Sequence, residues 1–203
     1  LNLVVTEPIP IIRANYLTLF LAILEESGVD CGACLQQFNL PTTLHDRPKG
    51  YLPLKPVLSF VQCAVRGGDL DRFIQRIGNR LSVTDFAADL RSAAEHVPSL
   101  QSALQGFCEL ADREQSTARY RIDPAGDAVR VCCFLGDGLM SDFDCFGEWL
   151  QILTLCALVR RFAGNRGAPS EIALRSPRAP GECSRRVFPG TSLVTGPAET
   201  CVT

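Results

Sequence analysis

Apolar residues recur at helical spacing through the first half of the chain. The stretch over about 14–27 is apolar almost all round and is followed by Gly28, which predicts a buried helix that ends at a glycine. Asp30 and Ser99 are expected to be N-caps, and Gly78 is expected to end a helix. The predicted helices cover about 14–27, 31–38, 57–66, 70–77, 87–95 and 100–111.

The spacing of the apolar residues changes to alternation after about residue 117. Ala118, Tyr120 and Ile122 fall on one face, and this strand is expected to form a hairpin with a second one over about 128–135. The later elements are a long helix over about 142–162 and short strands over about 171–174, 192–195 and 200–203. The last two strands are expected to pair as a closing hairpin around the turn at Gly196.

The order of these elements predicts an α+β fold. An N-terminal helical layer is expected to pack on a C-terminal antiparallel sheet that is crossed by one long helix. The chain has 203 residues, 46% of them hydrophobic, which is enough for one domain with a substantial core. We expect its helical part to cover about 1–112 and its sheet-containing part about 113–203.

The overall charge excludes a strongly basic nucleic-acid binder. There are 22 acidic and 20 basic residues, for a net charge of -2, whereas phosphate binding needs clustered positive charge. The longest apolar run, over 16–24, is too short to span a membrane, and the N-terminus lacks the pattern of a signal peptide. We therefore expect a cytoplasmic protein without membrane contact. Among the basic residues arginine greatly outnumbers lysine, which indicates a GC-rich bacterial gene.

The ten cysteines are interpreted as reduced thiols, because most of them lie in apolar stretches. Cys31 and Cys34 form a single CxxC, for which a redox dithiol or half of a zinc site are the alternatives to ordinary packing. A zinc site needs further ligands, but the two histidines, His45 and His96, are far apart in the sequence. The neighbouring pair Cys132 and Cys133 would point to opposite faces of a strand.

No pattern typical of an active site is present, so no catalytic residue, metal ligand or cofactor is predicted. Asp142 and Asp144 are interpreted as first-turn helix residues and not as a metal-binding pair. One local charge excess remains, with two glutamates, Glu171 and Glu182, among seven arginines. These are Arg160, Arg161, Arg166, Arg175, Arg178, Arg185 and Arg186. This segment is either solvated surface or a patch that binds an anion or a partner.

Short segments spread over nearly the whole chain resemble one family of regulators. The first six are 21–30 (LAILEESGVD), 38–41 (FNLP), 52–54 (LPL), 68–78 (GDLDRFIQRIG), 90–93 (LRSA) and 97–103 (VPSLQSA). They are followed by the hairpin over 118–135, the long helix ending at Arg160 and Arg161, and the tail over 187–202. Together these segments resemble the N-terminal, arabinose-binding-type domain of AraC-family bacterial transcription regulators, in the branch of ornithine- and arginine-responsive members.

The resemblance implies a domain that binds a small effector and forms a homodimer, with no enzyme activity. DNA would be bound only through a helix-turn-helix domain that is absent from this chain. The candidate effector-binding residues offer aromatic walls and positive charge: Phe86, Phe107, Arg119, Tyr120, Arg130, Phe146 and Trp149. The alternative for the aromatic residues is that they fill the core. The alternative function is a thiol-based redox sensor or a cysteine-dependent enzyme domain that uses Cys31 and Cys34.

Overall fold

The computed structural model describes residues 8–42, 50–65, 70–135, 144–164, 167–177 and 180–203. The helices are α1 (Ala14–Glu25), α2 (Cys31–Gln37), α3 (Leu54–Ala64), α4 (Leu70–Arg80), α5 (Ala88–Glu95), α6 (Leu100–Glu114), α7 (Asp144–Ala163) and α8 (Glu182–Arg185). The strands are β1 (Ile11–Arg13), β2 (Tyr51–Pro53), β3 (Ala118–Ala125), β4 (Ala128–Leu135), β5 (Glu171–Leu174), β6 (Ser192–Thr195) and β7 (Thr200–Val202). This confirms the α+β class. The predictions on His45, Asp142, Arg166 and Arg178 fall outside the described residues.

The ends of the N-terminal helices follow from local chemistry. Gly28 lies in the left-handed region with φ +77°, so it closes the chain after α1, as predicted. The carboxylate of Asp30 accepts a hydrogen bond from the backbone N–H of Gly32 at 3.0 Å, and the hydroxyl of Ser99 accepts one from Ser102 at 3.2 Å. Both predicted N-caps are confirmed, and each satisfies a backbone donor that a helix start leaves open.

The prediction that Gly78 ends a helix is wrong. Helix α4 continues through Gly78 to Arg80. A Cβ at this position would lie 2.7 Å from Cγ1 of Val187 and 2.9 Å from Cδ2 of Leu153. The glycine therefore serves close packing of α4 against α7 and the segment after α8, a role that the sequence does not distinguish from a helix end.

A small two-stranded sheet lies at the start of the described chain and was not predicted. Strands β1 and β2 pair antiparallel, with Ile12 opposite Leu52. The backbone N–H of Ala14 donates to the carbonyl of Gly50 at 2.9 Å and so continues this pairing into the start of α1. Strands of three residues are too short to show an alternation, which explains why no strand was expected in this part of the chain.

Within the described residues the main sheet has five strands in the order β3-β4-β7-β5-β6. The predicted hairpin is confirmed, with Ala118 opposite Leu135 and Ala125 opposite Ala128. The predicted closing hairpin is wrong, because β5 lies between β7 and β6. Strand β6 pairs parallel to β5, so the sheet is mostly and not wholly antiparallel. After the turn at Gly196 (φ +86°), β7 enters the gap between β4 and β5, where it gains backbone partners on both edges.

Helix α7 lies between the sheet and the other helices and forms the centre of the core. Phe146 packs against Phe20 and Phe73, with ring centroids 5.5 and 5.9 Å away, and Trp149 stacks on Phe188 at 6.0 Å. Most apolar side chains of α7 are buried, and the burial extends to polar side chains on the same helix, including Gln151 and Thr154. No helix in the described ranges is long and apolar enough to cross a membrane.

Candidate functional site

The structure does not bring the seven predicted effector-binding residues together. Phe107 and Tyr120 meet edge to face, with ring centroids 4.8 Å apart. Phe86, Phe146 and Trp149 are buried in the hydrophobic core and do not form a shared site. The two arginines lie on the exposed side of the hairpin, where Arg119 donates to the carbonyls of Ser116 and Ala118 and Arg130 lies 3.9 Å from the carboxylate of Glu171.

Phe107 and Tyr120 do line a small cavity where α1, α6 and α7 meet the first strand of the hairpin. The lining residues are Tyr16, Phe107, Ala111, Glu114, Gln115, Tyr120, Leu150, Gln151 and Thr154. The free space is about 10 Å³, close to what one water molecule needs. We refer to this site as the α6–α7 cavity. It combines an apolar wall with several polar groups that point inward from different elements, as small-molecule sites do.

A chain of hydrogen bonds runs along one side of the α6–α7 cavity. The hydroxyl of Tyr120 donates to Oε1 of Gln151, and Nε2 of Gln151 donates to Oε1 of Gln115 at 2.9 Å. Nε2 of Gln115 in turn donates to the hydroxyl of Thr117 at 3.0 Å. Burial raises the pKa of Tyr120 well above its ordinary value. The phenol therefore stays neutral and remains a hydrogen-bond donor at any physiological pH.

Glu114 is the most unusual group in the α6–α7 cavity. Its side chain is 5% exposed, and Oε2 has no hydrogen-bond partner among the described residues. Burial raises the pKa of Glu114, while the charge of Arg13 and a hydrogen bond with the Tyr16 side chain act in the opposite direction. A buried acceptor without a partner costs free energy that a ligand with a hydrogen-bond donor would recover.

The polar part of this cavity was not predicted, although the sequence carries a signal for it. Glu114 continues the apolar stripe of α6 at the helical spacing of Phe107 and Ala111. On α7, Gln151 and Thr154 are likewise polar residues among buried apolar ones. A polar residue on a buried face has to find a partner, so such positions indicate either an internal network or a site.

A second, open concavity lies where the ends of α4 and α7 meet the segment after α8. Its volume is about 630 Å³. Its polar lining residues include Arg80, Glu95, Arg160, Arg161 and Arg186, and its apolar ones include Ala157, Val187 and Phe188. We refer to it as the arginine groove. Part of the predicted arginine cluster lies here, while Arg185 donates to the carbonyl of Pro180.

The arginine groove depends on how α8 is attached. The carboxylate of Asp71 accepts hydrogen bonds from the backbone N–H groups of Cys183 at 2.6 Å and Ser184 at 2.9 Å, and from the Ser184 hydroxyl. Partial burial alone would raise the pKa of Asp71, but these hydrogen bonds outweigh it and lower the pKa. Asp71 thus fixes α8 to α4 and places Arg186 and Phe188 at the groove.

The expectation of ten reduced thiols is wrong for two of them. Cys132 and Cys201 lie opposite each other on β4 and β7 and form a disulfide, with their Cα atoms 4.1 Å apart. The sequence could not show this pair because it predicted the wrong partner for β7. Together with Glu199 these two residues form a group of three potential metal ligands, but their sulfurs are bonded to each other and cannot act as thiolates.

The CxxC does not form a dithiol site in the structure. Cys31 is buried at the start of α2, and the sulfur of Cys34 lies 3.3 Å from that of Cys63 on α3. Burial raises the pKa of the Cys31 thiol to about 11, and that of Cys108 to about 11. A nucleophilic cysteine needs a lowered pKa, so these thiols have the character of packing residues.

One known protein family matches most of the chain. The model of the N-terminal arabinose-binding domain of AraC transcription regulators matches residues 28–202, from the end of α1 to β7. The chain belongs to this family. No curated protein matches it. The family is a regulatory ligand-binding domain and not a class of enzymes. The AraC-type domain described here therefore functions in transcription regulation. The assignment to the ornithine- and arginine-responsive branch stays a prediction.

Proposed function

We propose that this AraC-type domain binds a small effector in the α6–α7 cavity and so controls DNA binding by a domain outside this chain. The observation that supports this most is the unpartnered Oε2 of Glu114 beside the Tyr120–Gln151–Gln115 chain. A carboxylate acceptor next to neutral phenol and amide groups suits a small effector with an amino or hydroxyl group. Phe107 and Tyr120 would contact its apolar part.

Binding in this cavity would require a change of conformation. The free space of about 10 Å³ holds one water, whereas small-molecule sites span about 300–1,000 Å³. An effector would therefore separate α6 from α7 and from β3. Because α7 also packs on the central strands of the sheet, its movement would be transmitted to the surface of the domain.

We expect that a screen of small primary amines and polyols by thermal unfolding finds a compound that raises the unfolding midpoint of the domain. Glu114→Gln should weaken its binding about 10–100-fold, because one acceptor oxygen is replaced by an amide NH₂ group that cannot accept the hydrogen bond of the ligand. Glu109→Gln is the matched control, since Glu109 is exposed on the same helix. A compound that binds Glu114→Gln as tightly as the wild type would contradict the proposed site.

We also propose that the domain self-associates through the edge of β6. Of the two outer strands of the main sheet, β3 carries Arg119, Arg121 and Asp123, and charged side chains protect an edge against pairing. Strand β6 carries no charge, and Val194 on it is 41% exposed. A two-fold axis beside β6 would join two copies of the sheet.

Sedimentation at micromolar concentration is expected to show a dimer. Val194→Lys should shift it to a monomer, because like charges would face each other across the two-fold axis. Val129→Lys is the matched control, since Val129 is also exposed but lies on the internal strand β4. A wild-type domain that sediments only as a monomer, or a dimer that Val194→Lys leaves intact, would contradict this interface.

The disulfide between Cys132 and Cys201 favours a second candidate function, thiol-based redox sensing. In this scheme the two thiols release two protons and two electrons to form the S–S bond, and a peroxide accepts them and is reduced to water or an alcohol. The bond joins β4 to β7 within the main sheet. Its formation would stabilise the pairing of β4 with β7. It would thereby alter the surface of the domain to which movement of α7 is transmitted.

A further inference from the structure

The arginine groove has the dimensions of a ligand site and lies apart from the α6–α7 cavity. Its volume of about 630 Å³ falls within the range of small-molecule sites. None of its lining residues is shared with the α6–α7 cavity. Its floor includes the buried residues Ala157, Val187 and Phe188, so a bound molecule would contact apolar surface as well as charge.

The positive charge of the groove is only partly balanced. Arg80 pairs with Glu26, and Arg186 pairs with Glu182 one helical turn away. Arg160 and Arg161 make no ion pair with any carboxylate in the described ranges. Glu95 lies on the groove wall and offsets part of this charge, but the described lining residues include four arginines against this one carboxylate.

Arg160 is held in a fixed position without being neutralised. Its side chain is half-buried, donates from Nη1 to the carbonyl of Gly78 at 2.6 Å, and lies over the ring of Phe188 at 5.9 Å. A carbonyl and an aromatic ring orient the guanidinium but leave its full charge. A guanidinium has five N–H donors, so Arg160 keeps donors for a further acceptor.

We propose that the arginine groove binds a small organic anion that carries a carboxylate or phosphate group on an apolar or aromatic body. Arg160 and Arg161 contact the anionic group, and Phe188 with its apolar neighbours contacts the body. Arginine donates charge-assisted hydrogen bonds to the oxygens of carboxylate and of phosphate groups. The class of ligand is therefore defined by its oxyanion. The site is additional to the effector cavity, and the observations that support it do not rest on effector binding in that cavity.

The proposal is tested by calorimetric titration of the domain with phenyl phosphate and benzoate. Benzyl alcohol is the neutral probe, and inorganic phosphate is the probe without an apolar body. At least one of phenyl phosphate and benzoate should bind more tightly than benzyl alcohol and more tightly than inorganic phosphate. The aryl anion that binds more tightly identifies the preferred oxyanion. Failure of both aryl anions to bind would overturn the proposal.

Variants show whether this binding is in the groove. Arg161→Gln should weaken the aryl anion about tenfold, because it removes one charged donor from an exposed position without affecting the core. Arg160→Gln should weaken it at least as much, and circular dichroism checks its fold because the contact with Gly78 is also lost.

Arg72→Gln on the exposed face of α4 is the matched control and should bind as the wild type does. Equal weakening in Arg72→Gln would show nonspecific charge attraction and overturn the proposal. Tight binding of duplex DNA that requires Arg160 and Arg161 would also overturn it.

Discussion

Trp149→Ala is expected to lower the free energy of unfolding by about 3–5 kcal/mol, the usual cost of removing a buried aromatic side chain. Trp149 is 1% exposed, stacks on Phe188 and lines neither described concavity. Its loss would leave a cavity between α7 and the segment after α8 that rigid neighbours cannot fill. Urea unfolding followed by circular dichroism measures the change.

Two companion variants make this result specific to the core position. Trp149→Phe keeps an aromatic ring and should cost clearly less than Trp149→Ala. Val129→Ala removes an exposed apolar side chain and should stay within about 0.5 kcal/mol of the wild type. A loss below about 1 kcal/mol for Trp149→Ala would contradict the tight packing described here.

Removal of the disulfide is expected to lower the free energy of unfolding by about 2–4 kcal/mol. Cys132 and Cys201 are 69 residues apart in the sequence, so their bond restricts a large part of the unfolded chain. The double variant Cys132→Ser with Cys201→Ser should therefore unfold at lower urea concentration. Dithiothreitol should destabilise the wild type by a similar amount and leave the double variant unchanged.

Cys108→Ala is the control for the disulfide experiment, because Cys108 is a free thiol and partly buried. This variant should still lose stability when the reductant is added. A wild type whose unfolding does not respond to reductant, although alkylation and mass spectrometry show an open bond, would contradict the stabilising role. A change in sedimentation on reduction would favour redox sensing as the regulatory input.

Helix α7 is the element that the two proposed sites share. Leu150, Gln151 and Thr154 line the α6–α7 cavity, and Arg160 and Arg161 near the end of the same helix line the arginine groove. A shift of α7 on opening of the cavity would also move the two guanidinium groups. Binding at one site would then alter affinity at the other by the same factor in both directions.

Local patterns in the sequence determined most of the elements. Three local signals located the helices to within a few residues, because each acts over one or two turns. They are the helical spacing of apolar residues, the caps at Asp30 and Ser99, and the glycine at 28. The alternation over β3 and the second strand that follows it after a short turn located the hairpin for the same reason, since the two strands are joined directly. The α+β class follows from the order of these elements.

Only the tertiary structure decided which distant segments meet. The sequence contains the turn at Gly196 but does not show that β7 pairs with β4 and β5, and the bond between Cys132 and Cys201 depends on that pairing. The α6–α7 cavity likewise joins Glu114 to side chains from α1, β3 and α7, of which Tyr16 on α1 is about a hundred residues from Glu114 in the sequence. Strand order and the assembly of a site are set by the packing of whole faces, and the free energy of that packing is not encoded in any short stretch of chain.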